Sequence, residues 1–391
     1  MKKDYILLII CSTGFFGFVN HSIVFPVIPL YAVEVGASIS HVGLVVSFFA
    51  YTQALLMIPA GLLSDKFSQR NLLVAGLLIA TVSPLLYIIA SNPVQLSLVR
   101  AFHGLGMVFF IPTALTIIVE TTPKAAMGKA FGAYTTATHF GSMVGPIIGG
   151  YLLNRFSYEA AFVSCSIVSV IGLIIVFVRF RDIPGKKPPE HIVKPLLGET
   201  LKWLLKRPVM ASMLTPLFIA IAVGTFSAYI PLYGTGFEIS EVGVGLIITA
   251  FYASSTISRI PAGILSDKFG RGIMIIFGFA LCVIAVASIS WFTTLFYLCM
   301  IALCFGIGMG ITQPSGLALA ADHSRKGEHG LAMGIYAAVF QVGLAVGPTV
   351  LGLVVGVTGY VTMFLACAAL VLFGLLLIFF LLRSKNGEVA S

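Results

Sequence analysis

Apolar runs of about 20 residues or more alternate with short polar breaks along this chain. Twelve can be drawn, over 5–33, 41–63, 71–90, 94–119, 128–153, 160–180, 209–235, 242–264, 272–291, 294–319, 329–356 and 360–382. A helix rises 1.5 Å per residue, so each run is long enough to cross a hydrocarbon layer of about 30 Å. Lipid offers backbone N–H and C=O groups no partner, and barrel strands would be shorter and alternating, so the runs predict helices. The expected fold class is an all-α integral membrane protein with twelve transmembrane helices in two pseudo-symmetric six-helix bundles.

The two bundles follow from an internal repeat. Pro59-Ala60-Gly61-Leu62-Leu63-Ser64-Asp65-Lys66-Phe67 returns as Pro261-Ala262-Gly263-Ile264-Leu265-Ser266-Asp267-Lys268-Phe269, an offset of 202 residues. The same offset pairs Pro29-Leu30-Tyr31 with Pro231-Leu232-Tyr233, Gly104 and Gly106 with Gly306 and Gly308, and Gly145-Pro146 with Gly347-Pro348. One register held over so many positions is a duplication. An even number of spans per copy relates the copies by an axis along the membrane normal, which puts their interface, and any polar path, at the bilayer centre. The expected organisation is a first bundle over 1–180, a cytoplasmic linker with an amphipathic helix over 181–208, and a second bundle with a short tail over 209–391. Within the linker, Leu196, Leu197, Leu201, Leu204 and Leu205 alternate with Lys194, Lys202, Lys206 and Arg207, a pattern suited to a membrane face.

Composition agrees: of 391 residues 59% are hydrophobic and 9% charged, and mean hydropathy is +1.06. Soluble domains carry roughly 25% charged residues. The net charge of +9 raises nucleic acid as a partner, and the placement of the charges removes it. With both termini in the cytoplasm, every Lys and Arg falls on that side except Arg155, Arg100 and Arg259. That is the positive-inside asymmetry, and the expected location is the cell membrane, multi-pass. The first run continues through Pro26 and Pro29 without an evident cleavage site, so it reads as a retained helix rather than a signal peptide. The six cysteines lie inside apolar runs without CxxC spacing, as small buried hydrophobes. No metal ligand set is expected.

Six plus six spans, a long central loop and Gly-x-Leu-x-Asp-Lys after both the second and the eighth spans resemble the major facilitator superfamily. Three further stretches are similar to its twelve-span drug:proton antiporter branch: Pro26-Val27-Ile28-Pro29, Arg100-Ala101-Phe102-His103-Gly104-Leu105-Gly106, and Gly141-Ser142-Met143-Val144-Gly145-Pro146-Ile147-Ile148-Gly149-Gly150. The resemblance implies alternating access and multidrug-type efflux of small amphipathic molecules driven by protons, with no cofactor and no enzymatic reaction. It leaves open an exporter of a sugar or siderophore, a lipid-handling relative, and a receptor that does not transport. The partners expected are a small-molecule substrate, protons and the lipid bilayer, with the chain a monomer. No P-loop is evident, which fits a proton gradient rather than ATP as the energy source.

The resemblance assigns a gating latch to Gly61, Asp65, Arg70 and Glu120 in the first copy and to Gly263, Asp267, Arg271 and Asp322 in the second. Ser68 and Gln69 stand where the family has Gly and Arg, and Arg70 is expected to substitute. The antiporter motif residues Gly141, Gly145, Gly149 and Gly150 leave a smooth stripe for a bundle-interface helix that Pro146 can bend. Arg100 sits inside a span, where an arginine costs about 2.5–3.5 kcal/mol and needs a cavity or partner; the family implicates it in proton transfer. Arg259, unmatched in the first copy, points to substrate or coupling specificity. No carboxylate lies deep in a span, so His21, His103 and His139 are the titratable candidates for carrying protons, and which one does stays open. Asn20, Gln53, Tyr134, Tyr229, Tyr252, Gln313, Tyr336, Phe340 and Gln341 are expected to line a central cavity suited to amphipathic or neutral ligands.

Overall fold

A computed structural model of the chain describes residues 2–64, 68–123, 126–179, 203–324 and 329–383. Six helices form the first half: α1 Lys2–Glu34, α2 Ile39–Ser64, α3 Gln69–Ile89, α4 Pro93–Thr121, α5 Met127–Arg155 and α6 Tyr158–Val178. The second half begins with α7 Arg207–Gly236, α8 Glu241–Phe269, α9 Arg271–Ser288 and α10 Leu295–Asp322. A last helical stretch, His329–Arg383, is broken by Gly359, whose φ of 85° only glycine takes without strain. The break divides it into α11, residues 329–358, and α12, residues 360–383, which completes the expected twelve. No strand occurs among the described residues.

Caps and turn residues set the boundaries. The Asn92 side chain accepts from the Gln95 amide at 3.0 Å with Pro93 opening α4. Ser157 and Ser240 cap α6 and α8 in the same way. Gly270 turns α8 into α9 with φ 94°. Its counterpart Ser68 holds an extended conformation instead, so the two copies leave the second helix of each half differently.

Length and hydropathy mark ten helical stretches as membrane spans, with 332–383 counted once. The helix left out is α5, whose glycines, threonines and His139 dilute its apolar character. It is nonetheless packed along α1 and α8, so its environment is protein more than lipid. α7 is buried along most of its length, while α3, α6 and α12 turn Ile89, Ile167, Ile174, Phe177, Phe373 and Phe380 outward as a lipid-facing side chain set.

The expected amphipathic helix of the linker lies outside the described residues apart from its last positions. There Trp203 is buried against α7, α10 and α11, and its indole N–H donates to the His323 carbonyl at 2.8 Å.

Candidate functional site at the interface between the halves

The halves meet along two seams, α2 on α11 and α5 on α8. Both are made by a glycine pressed onto a proline carbonyl. Gly43 of α2 leaves room for the Pro348 carbonyl of α11, and Gly245 of α8 leaves room for the Pro146 carbonyl of α5. Each pair maps onto the other at the offset of 202, so the contact obeys the pseudo-twofold of the duplication. Tyr229 is sealed into the first seam: its hydroxyl accepts from the Gly43 amide at 3.0 Å and donates to the Pro348 carbonyl at 3.3 Å. Tyr51 donates to Thr349 (3.1 Å) and Gln341 to Gln53 (2.7 Å) along the same seam. In the other, Thr249 donates to the Met143 carbonyl (3.0 Å) and Asn154 to Glu241 (2.8 Å).

These contacts lie in the parts of the helices remote from the chain's two ends. Toward the face that carries α1's start and α12's end, here the terminal face, the halves part. A Cβ placed on Gly128, Gly132, Gly263 or Gly334 would meet nothing within 4 Å. The gap between the halves is therefore shut on one face and open on the other.

In the first half the polar groups gather around Phe49 of α2. Arg100 on α4 lies with its guanidinium carbon 4.8 Å from the Phe49 ring centre and donates to the Val46 carbonyl at 3.1 Å. The His21 ring of α1 stacks on the same phenylalanine at 4.4 Å. His103 stands 6.2 Å from His21, ring centre to ring centre, and its Nδ1 meets the Tyr87 hydroxyl at 2.9 Å. Arg100 Nε, His21 Nδ1 and His103 Nε2 are buried with no partner. Phe49 and His103 are each about ten residues into their helices, ~15 Å from the shut face and near mid-membrane. The expected residues Arg100, His21 and His103 thus come together, and Phe49 and Tyr87, which hold them, carried no signal in the sequence.

His139 lies apart from this group, on α5, within electrostatic reach of Arg259 of α8. Arg259 donates to Gln313 Oε1 of α10 at 2.5 Å, and Tyr336 of α11 donates to the Gln313 carbonyl at 3.0 Å. Tyr252 of α8 stacks on Phe25 of α1 at 5.7 Å, an aromatic contact across the halves. Phe340 is half-buried against the core shared by the halves.

Other expected residues stand elsewhere. Asn20 is fully buried and faces into its own half, donating to the Ala80 and Cys165 carbonyls at 3.1 and 2.8 Å, so it ties α1 to α3 and α6. Tyr134 packs against Gly14 of α1. The stripe Gly141, Gly145 and Gly149 faces α1 of the same half, lying on Phe15, Ser22 and Ile23, rather than the other bundle. The neighbouring face of α5, with Pro146 and Gly150, is the one that meets α8. An apolar pocket of about 590 Å³, lined by Cys11, Phe15, Phe16, Ala137 and Phe140 among others, opens between α1 and α5 and includes none of the expected site residues.

At the terminal face the charge contacts seen among the described residues stay within one half. Arg271 pairs with Asp267, and its Nε lies 3.3 Å from Asp322 Oδ2. In the first half Gln69 Nε2 donates to Glu120 at 2.7 Å. Gln69 and Arg271 are counterparts at the offset of 202, as are Glu120 and Asp322, so a neutral amide takes the arginine's place. Sequence reasoning noted Gln69 at the arginine's position but looked to Arg70, the next residue, to fill the role. Gly61 lies in the last turn of α2 and Arg70 in the first turn of α3; Asp65 lies outside the described residues.

Two six-helix halves joined by symmetric seams around a one-sided gap define a membrane transporter fold, and the comparisons agree. The model of the Major Facilitator Superfamily matches residues 10–243 and 234–390; the chain belongs to that family. It is 25% identical over 365 residues to an uncharacterized MFS-type transporter of Methanocaldococcus jannaschii, covering 93% of this chain and 94% of that one. It is 25% identical over 384 residues to multidrug resistance protein MdtG of Citrobacter koseri, covering 95% and 93%. Among solved structures, a bacterial homologue of the human lysosomal transporter Spinster, in an inward-facing unoccupied conformation, superposes with a TM-score of 0.82 at 14% identity over 98% of this chain and 97% of that one, a likeness of fold. The chain is a multi-span membrane protein of a transporter family.

Proposed function

We propose that the protein exports small amphipathic molecules in exchange for protons, alternating between the conformation described and one open on the opposite face. The observation that carries this reading is the one-sided gap with the Arg100–Phe49–His21–His103–Tyr87 cluster near its shut end. Lysine and arginine side chains crowd the terminal face, which makes it cytoplasmic under the positive-inside rule, so the gap opens inward and both termini lie in the cytoplasm. The names of relatives such as MdtG support multidrug-type efflux. Asp and Glu being confined to span ends and loops, the histidines are the groups left to carry protons, with the fixed charge of Arg100 beside them. Proton flow supplies the energy, no cofactor takes part, and a monomer suffices because both seams are internal to the chain.

The test is a proteoliposome assay with an imposed pH gradient and a screen of drugs, sugars and siderophores. Substrate-elicited proton movement, lost in His21→Ala or His103→Ala, is expected. Transport indifferent to the gradient, or fully retained proton coupling in both variants, would remove the reading.

A further inference from the structure

The two arginines inside the spans are satisfied differently. Arg100 is 3% exposed and is closed in by the Val46 carbonyl and the Phe49 ring. Arg259 is partly exposed. It projects from the same side of α8 as Tyr252, two turns away, and Tyr252 meets Phe25 of the other half, so this side of α8 faces the gap. Arg259 lies roughly 15 Å in from the terminal end of its helix, well inside the span.

Its hydrogen bonding is incomplete. Nη2 donates to the neutral amide oxygen of Gln313, and Nε is buried with no partner. No carboxylate answers the charge: the sequence has its Asp and Glu at span ends and in loops, and the ion pairs among the described residues are those of Arg271 with Asp267 and Asp322. The groups within electrostatic reach from the packed helices are Tyr252, Tyr336 and His139, none of them an anion near neutral pH. A guanidinium at such a depth needs an anion or a wet cavity. The aromatic rings of Tyr252, Phe25 and Tyr336 beside it offer an apolar resting place.

We propose that the cavity takes amphipathic organic anions, the acid group meeting the accessible part of the Arg259 guanidinium, and the aromatic or aliphatic body lying against Tyr252 and Phe25. Gln313, whose carbonyl oxygen is held by Tyr336, positions the guanidinium. The proposal rests on the export reading in taking this gap as the cargo site, and adds the charge of the cargo. An acid held by the planar fork gains geometry as well as charge, which Lys reproduces only in part.

The test compares three probes that share one ring system: 1-naphthoate, 1-naphthylmethylammonium and neutral 1-naphthalenemethanol. Binding to the purified full chain in lipid nanodiscs at pH 7 is measured by calorimetry without any gradient. The wild type is expected to bind the naphthoate at least about ten-fold more tightly than the ammonium. Arg259→Gln should bring that ratio near one while leaving the alcohol's affinity within about two-fold, and Arg259→Lys should keep most of the preference. Equal affinities in the wild type, a preference for the ammonium, or an undiminished ratio in a folded Arg259→Gln variant would overturn the proposal. The wild-type ratio decides the matter even if the glutamine variant fails to fold. Proton coupling does not enter the measurement, so its absence in liposomes would leave this result standing.

Discussion

The glycine of the α5–α8 seam offers a graded perturbation of the two-state equilibrium proposed above. A Cβ on Gly245 would lie 2.5 Å from the Pro146 carbonyl oxygen and 3.1 Å from the Ile147 Cα, both backbone-borne, where ordinary contact begins at 3.4 Å. The helices have to part by about 0.9 Å to admit an alanine. Overpacking of this kind costs about 1–3 kcal/mol. That cost applies only while the seam is closed, and the proposed alternate state would separate α5 from α8. Gly245→Ala is therefore expected to shift the equilibrium toward the seam-open state by about 5- to 150-fold. Double electron–electron resonance between labels at Ser91→Cys and Thr293→Cys, counterparts on the shut face, would read the shift in a cysteine-free background. Gly132→Ala is the control: its Cβ meets nothing within 4 Å, and its distance distribution should match the unsubstituted chain. An unchanged distribution in Gly245→Ala, or an equal shift in the control, would refute the reasoning.

Asn20→Ala removes two buried hydrogen bonds between α1 and its neighbours α3 and α6, and is expected to lower stability by about 1–3 kcal/mol without weakening substrate binding; thermal unfolding and a binding titration separate the two effects. Arg271→Gln recreates at α9 the amide contact that Gln69 already makes with Glu120, and the ion pairs it removes are largely exposed, so a loss below about 1 kcal/mol is expected in the same unfolding assay.

Much of this was legible in the chain. Lipid forces backbone hydrogen bonds inside each span, so the apolar runs located the helices, α5 included although its hydropathy is weak. Arg100, His21 and His103 were recognisable because titratable groups are rare in such spans. The directions of side chains were not legible. Asn20 and Tyr134 are as polar as any cavity residue, yet α1 and α5 turn them into their own half, and a rotation of one position in a 3.6-residue period decides that. Tyr229 was assigned to the cavity on its hydroxyl, although Gly43 and Pro348 give that hydroxyl a place in the seam. The Gly43–Pro348 and Gly245–Pro146 contacts were hidden because each joins the two copies, and a repeat compared with itself reports likeness, not contact.

The most direct test of alternation is a reversible cross-link of the shut seam. A Cβ on Gly356 would lie 2.7 Å from the Ser40 Cβ, close enough for Ser40→Cys and Gly356→Cys to form a disulfide after a slight adjustment. Oxidised in cysteine-free protein, this pair should stop transport in proteoliposomes, and reduction should restore it. Undiminished transport with the seam quantitatively cross-linked would contradict the account.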